Sequence, residues 1–222
     1  MSLAGAPAAI SGKSPTSPQV TTGDKDEQAS LHEAREIIPP PLRCGTFQPK
    51  AGAWVEFKVT GTGTSTRARL SHVADVKLEG KEVHQLELEF VEESAAPLIV
   101  VWITTAPPRL VLRLALVAPP SAPVSIPLDL PLTAKETRGT ETPVGQVDGV
   151  SLPAPFAGSR GRKVEFKEGS ARLASVVLAD VPLVGLHSVR VERESWVALE
   201  AGSGAQRRFS GVPIQVPRMA PE

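Results

Sequence analysis

The stretch VHQLELEFV, residues 83–91, decides the fold class of this chain. Its apolar residues Leu86, Leu88 and Phe90 stand at every second position, with glutamates between them. Successive side chains of a β-strand point to opposite faces, so this period of two predicts a strand with one buried and one solvated face.

Two neighbouring runs depart from that alternation because they are apolar on both faces. Residues 97–104 read PLIVVWIT, and residues 109–117 read RLVLRLALV, with four leucines expected on one face of the strand. A sheet with one solvated face alternates. The second face of these two strands must therefore be covered, by a short helix, a Pro-rich crossing, a partner protein or a ligand.

Strand-like runs recur along the chain and are separated by short turns. They are predicted at residues 53–59, 66–72, 83–91, 97–104, 109–117, 150–156, 161–167, 171–178, 186–193 and 196–200. The pattern predicts an all-β fold, a curved antiparallel sheet as a half-barrel or a sandwich, in one domain over residues 46–205. The residues predicted to face its core are Phe57, Leu70, Leu88, Phe90, Leu112, Leu114, Phe166, Val176 and Leu186.

Two segments within and after this domain are rich in proline. Residues 118–131 are predicted to cross the surface without forming a central strand, because proline lacks the N–H that a ladder needs. Residues 206–222 are a C-terminal extension in which Val212, Ile214 and Val216 are candidates for an edge strand.

Residues 1–45 are predicted to be a tail outside the domain. Its first 29 residues contain almost no large apolar side chains and are predicted to be disordered. Ser30 and Glu33 form a capping box that predicts a short helix over residues 30–38, which the prolines at 39–41 end.

Composition excludes several classes of protein. Lys plus Arg and Asp plus Glu both total 24, so no basic excess favours nucleic acid or an anionic membrane. No apolar run has the length of a transmembrane helix. Cys44 is the single cysteine, which excludes an internal disulfide and predicts a plain thiol, either structural or exposed. The small residues at positions 1–10 resemble the end of a signal peptide, so a periplasmic or otherwise exported location is favoured over the cytoplasm.

No catalytic constellation is found in the sequence. A nucleophile elbow and a phosphate-binding loop are both missing, and His32 lacks the second histidine of a zinc helix. His72 and His84 lie on neighbouring predicted strands, but no third ligand is placed beside them. We therefore predict no metal, no cofactor and no enzymatic activity, and we read His187 as a surface or satisfied histidine.

Several phrases of the sequence resemble a group of uncharacterised bacterial exported domains. The phrases are GAWVEF at 52–57, GTET at 139–142, LPAPF at 152–156, LADVPLVGL at 178–186 and VRVE at 189–192. The chain departs from that group at Leu178-Ala179, where Val-Ser is usual, and at Pro155, where Gly is usual. The group is similar in pattern to periplasmic lipoprotein-carrier domains, which are open half-barrels around an apolar cavity.

These observations support two hypotheses of function. The first is a non-enzymatic, envelope-associated domain that binds an apolar or lipid-like ligand, as the resemblance and the doubly apolar strands imply. The predicted ligand-binding residues are Leu98, Val100, Trp102 and Val111. The alternative is a protein-interaction or scaffold module of a cell-envelope assembly, which the predicted tail, the Pro-rich crossing and the lack of catalytic chemistry favour.

Overall fold

A computed structural model describes residues 37–61, 63, 65–92, 95–132, 142–168 and 171–217 of the chain. Within them, one short helix, α1 (Pro40–Cys44), precedes a series of strands. The strands are β1 (Trp54–Thr60), β2 (Ser65–Leu78), β3 (Lys81–Phe90), β4 (Leu98–Thr104), β5 (Leu110–Val117), β6 (Val124–Pro131), β7 (Thr142–Ser151), β8 (Arg160–Glu168), β9 (Ala171–Leu178), β10 (Leu186–Val191), β11 (Glu194–Gly202) and β12 (Ile214–Gln215).

All of these strands belong to one sheet, in the order β12-β6-β5-β4-β3-β2-β1-β11-β10-β9-β8-β7. Neighbours are antiparallel, except that the two-residue β12 runs parallel to β6. The sheet is curved and open, which confirms the all-β prediction as a single sheet rather than a two-sheet sandwich. Two meanders, β1 to β6 and β7 to β11, are joined side by side through the pairing of β1 with β11.

The main core lies on one face of the sheet, here called the inner face. Of the predicted core residues, those buried on it are Phe57, Leu70, Leu88, Leu114, Val176 and Leu186, and Phe90 packs partly buried against them. The side chain of Phe166 lies outside the described part of the chain. The period of two therefore identified the inner face of most strands correctly.

Strand β5 does not follow its simple alternation. We expected its leucines at 110, 112, 114 and 116 on one face, but Leu112 is buried on the outer face while Leu114 is buried on the inner face. In the ladder with β4, Trp102 pairs with Arg113 and the next residue, Ile103, pairs with Val111, so β5 carries one extra residue at this point. A bulge of this kind inserts one extra residue and reverses the facing of the residues after it, so the prediction for this strand is wrong.

The proline-rich residues 118–131 also differ from expectation, because they include β6. Pro127 lies opposite Arg113, next to the bulge of β5. Strand β12 pairs with β6 only at Val124 and Ser125. The rest of β6 is thus an edge of the sheet. Proline is tolerated there because no neighbouring strand needs its N–H for a hydrogen bond.

The segment before β1 packs on the inner face. Ile38, Leu42 and Cys44 are buried in the main core, so the thiol of Cys44 is a buried one and not an exposed one. The backbone of Thr46 donates a hydrogen bond to Val184 O at 2.7 Å, and Gly185 (φ 60°) makes the turn beneath it. Residues 178–186, with the sequence LADVPLVGL, thus form the corner against which residues 37–48 pack.

Two predictions near the ends of elements were wrong or fall outside the described residues. The prolines at 39–41 stand at the beginning of α1, because the first turn of a helix has no partner for a backbone N–H and proline lacks one. The helix predicted over residues 30–38 lies outside the described residues except for Ile37 and Ile38, which are not helical. The strand predicted at 150–156 is wrong, because β7 ends at Ser151 and turns come after it.

Candidate functional site

A second apolar cluster covers part of the outer face of the sheet, opposite the main core. We call its sheet residues the Trp102 patch. Its buried members are Val83, Val100, Trp102, Leu112 and Ala115, and its partly buried members are Val76, Leu78, Leu98 and Val117. The patch exists because β4 and β5 are apolar on both faces, as their sequences indicate.

Three of the four predicted ligand-binding residues lie together on this patch. Leu98, Val100 and Trp102 alternate along β4 and share the outer face. Val111 lies on the inner face, buried in the main core. The bulge directly after Val111 in β5 explains why it does not join the other three.

The patch is covered by residues 206–217, here called the C-terminal strap. Phe209 is the strap residue that enters the apolar cluster, where it is 7% exposed. Its ring meets the ring of Trp102 edge-on, with 6.3 Å between centroids and 69° between planes. Aromatic pairs favour this arrangement, so Phe209 acts as an apolar lid on Trp102.

Polar side chains of β3 hold the strap in place. The two carboxylate oxygens of Glu87 accept the backbone N–H groups of Arg208 (2.9 Å) and Phe209 (3.0 Å). Gln85 donates to Phe209 O at 2.8 Å and to Glu87 at 3.0 Å. Glu87 is buried, and a buried carboxylate is stable only when it is fully hydrogen-bonded, so these contacts fix the position of the strap.

A second anchor lies further along the strap. Arg113, buried on the outer face, donates to Val216 O at 3.2 Å and pairs with Glu79. Ile214 and Val216 form backbone hydrogen bonds with Pro123 and Ser125 of the β6 region. The edge strand expected around 212–216 is confirmed as β12, and it ties the strap to the sheet.

The apolar pattern of β4 and β5 indicates that the second face needs a cover, but not which segment provides it. The sequence indicated a helix, the Pro-rich crossing, a partner or a ligand as the cover, and the C-terminal extension was not among these. Its one aromatic residue, Phe209, was the available signal. Burial of a lone aromatic in a polar, Pro-punctuated extension requires a partner surface.

A separate polar cluster lies on the inner face of β2 and β3. His72 Nε2 is 2.9 Å and His84 Nδ1 is 2.6 Å from the same oxygen, Oδ1 of Asp75. Burial of Asp75 raises the pKa of its carboxyl, but hydrogen bonds with His84 and His72 outweigh burial and lower that pKa below its ordinary value. The structure thus supplies the third residue that the sequence did not place beside the two histidines.

His187 is separate from this cluster. It is buried against Phe156, with 5.7 Å between ring centroids. Burial lowers the pKa of its imidazole, since a charged ring would lose its hydration there. His187 is thus a core histidine rather than a surface one.

No protein-family model and no curated protein matches this chain. The resemblance to bacterial exported domains therefore stays a prediction based on its own residues. Among the described residues, no helix has both the length and the apolar character required to cross a bilayer.

Proposed function

We propose that this protein is a non-enzymatic domain of the cell envelope that binds an apolar or lipid-like group on the Trp102 patch. The observation that carries the proposal is the composition of the second cluster. Nine of its residues belong to the sheet, and a single residue, Phe209, covers them from the strap. A ligand needs to replace only one side chain to reach a preformed apolar surface.

The arrangement of polar groups also supports reversible cover. The strap backbone donates hydrogen bonds to Glu87 and accepts hydrogen bonds from the side chains of Gln85 and Arg113. When the strap leaves, its backbone groups form hydrogen bonds with water instead. The net free-energy cost of breaking each bond is therefore about 0.5–1.5 kcal/mol between neutral groups and about 1.5–3 kcal/mol when one group is charged. An acyl chain on Trp102 offsets the remaining loss by apolar burial.

The three tryptophans of the chain allow a direct test because they lie in different places. Trp102 is on the patch, Trp196 is buried in the main core against Phe57, and Trp54 stacks on Arg69. Single-tryptophan variants are made in the full chain, with Phe at the other two positions. Each variant is titrated with oleate, and fluorescence and acrylamide quenching are recorded.

We expect a saturable change in the Trp102-only protein and none in the Trp196-only protein. Trp102→Phe in the otherwise natural chain should abolish the response. A flat titration of the Trp102-only protein would exclude this site, and a response from Trp196 alone would move the ligand to the inner face.

A scaffold role in an envelope assembly is the second candidate, and one feature favours it. Leu116, Val124 and Ile214 are aligned across β5, β6 and β12, and Ile214 is 60% exposed. Exposed apolar side chains aligned at a sheet edge suit the apolar face of a protein partner.

A photo-crosslinking residue in place of Ile214 should capture the same partner repeatedly. The same residue in place of Val147, on the opposite edge strand, should not. Leu116→Asp should abolish that capture, and equal capture from both edges would refute the role.

A further inference from the structure

We infer that His72, Asp75 and His84 form a binding site for a divalent first-row transition-metal ion, with Zn²⁺ as its best-fitting occupant. This inference is independent of the proposed ligand site, because the cluster and the Trp102 patch lie on opposite faces of the sheet. It rests on the placement, the geometry and the exposure of the three side chains.

The placement depends on an irregularity in β2. Asp75 lies directly opposite His84 on β3, and the ladder shifts register between His72 and Ala74. In a regular strand, residues three apart point to opposite faces. The extra residue of a bulge restores a common face, so His72 and Asp75 both point toward His84. Bulges often aim side chains at functional sites.

The geometry brings one ligand atom from each of the three side chains close together, within 4.8 Å of one another. Asp75 Oδ1 lies between the histidines, 2.9 Å from His72 Nε2 and 2.6 Å from His84 Nδ1. The two imidazole rings are nearly perpendicular, with 83° between planes and 4.9 Å between centroids. In a tetrahedral site with metal–ligand distances of about 2.0–2.1 Å, ligand atoms stand about 3.3 Å apart. Binding of a metal ion therefore requires the Asp75 oxygen to move about 0.4 Å away from His72 Nε2 and about 0.7 Å away from His84 Nδ1. It also requires the two ring nitrogens to come to a similar separation from each other.

The surroundings allow that movement and an approach from solvent. His72 and His84 are buried, whereas the side chain of Asp75 is 53% exposed. Phe47 packs edge-on against His84 at 5.7 Å and holds that ring. Nδ1 of His72 has no hydrogen-bond partner among the described residues. The ring of His72 therefore makes its polar contact with Asp75 through Nε2. His84 is thus held by its aromatic neighbour, and the exposed carboxylate of Asp75 is the most movable of the three ligands.

The ligand types select the metal. Two imidazole nitrogens and one carboxylate suit zinc and its first-row neighbours, whereas calcium and magnesium prefer sites made of oxygen alone. The carboxylate of Asp75 supplies a negative charge that partly compensates the charge of a divalent ion. Three protein ligands leave a further position for water. A bound ion would link β2 to β3 at the point where the ladder is irregular.

The test uses the full chain, freed of metal by dialysis against a chelator and then titrated with Zn²⁺ in a calorimeter. We expect one Zn²⁺ per chain. Asp75→Asn and His84→Gln should each weaken binding by at least about 100-fold, since loss of an outer-shell partner alone weakens binding about 10–100-fold. His187→Gln and His32→Gln are the matched controls and should bind as the natural chain does. Circular dichroism establishes whether each variant is folded.

A second measurement needs no variant at a ligand position. In the natural chain labelled with ¹⁵N-histidine, Zn²⁺ should shift Nε2 of His72 and Nδ1 of His84 and leave His187 unchanged. Stoichiometric binding with both shifts supports the site. Lack of saturable binding, binding indifferent to both ligand substitutions, or unshifted ring nitrogens would overturn it and leave a hydrogen-bonded cluster.

Discussion

Replacing Phe209 with alanine tests how firmly the strap covers the Trp102 patch. A phenyl side chain buries about 150–250 Å², and Phe209 is 7% exposed. At about 25 cal/mol per Å², its burial contributes about 4–6 kcal/mol as an upper estimate. Alanine keeps its Cβ and the strap can relax. We therefore expect the free energy of opening the strap to fall by about 3 kcal/mol, which is at the low end for such substitutions.

This loss should appear first as local opening of the strap. The backbone N–H groups of Arg208 and Phe209 are bonded to Glu87. Their hydrogen exchange should accelerate by about 100-fold, because each 1.4 kcal/mol is a factor of ten. Oleate, if it must displace the lid, should bind Phe209→Ala tighter by the same factor. Val212→Ala, on the same strap but 85% exposed, is the control and should change neither quantity.

An independent perturbation separates the lid from its anchor. Glu87→Gln keeps the shape of the side chain but leaves one accepting oxygen where two backbone N–H groups are bound. The strap should open while Trp102 and Phe209 remain intact, so exchange at positions 208 and 209 should again accelerate. Unchanged exchange in both variants, or weaker oleate binding in folded Phe209→Ala, would refute a displaceable lid.

Three further predictions concern the body of the domain. Phe57→Ala should lower the free energy of unfolding by about 3–5 kcal/mol, measured by urea denaturation, whereas Val147→Ala on the exposed β7 should change it by less than about 0.5 kcal/mol. Glu56→Ala should cost about 1–2 kcal/mol in the same assay, because it leaves two partly exposed arginines without their buried carboxylate. The pKa of His187 is lowered in the folded protein, so stability should fall as pH drops below about 6.5, and less steeply in His187→Gln.

Local periodicity was sufficient to predict most of the strands and the inner face of most of them, but not β6 or most of β7. Leu86, Leu88 and Phe90 point inward, and Glu87 and Glu89 point outward, as their spacing indicates. Periodicity failed where the ladder is irregular. The bulges in β2 and β5 shift the facing of Asp75 and Leu112, and no residue near them marks that shift in the sequence.

Contacts between residues far apart in the chain were beyond any local pattern. Glu87 and the strap residue Phe209 are separated by 122 positions. A glutamate that alternates with leucines reads as a solvated residue, and Glu87 would be one without the strap. Its burial results from a long-range match between two acceptor oxygens and two consecutive backbone donors, which composition and spacing do not encode.

The two faces of the sheet differ in how deeply their covers are embedded, and this difference favours a ligand on the outer face. Residues 37–48 place Ile38, Leu42 and Cys44 in the main core, and they dock through backbone hydrogen bonds at the 181–186 corner. Removal of that cover would expose several buried side chains together with the apolar surface beneath them. The strap places only Phe209 in the smaller cluster. Since the free energy of opening scales with the apolar area that is uncovered, the outer cover opens far more readily than the inner one. A small apolar ligand can compete with one phenyl ring, whereas displacement of the inner cover would require several buried side chains to leave the main core together.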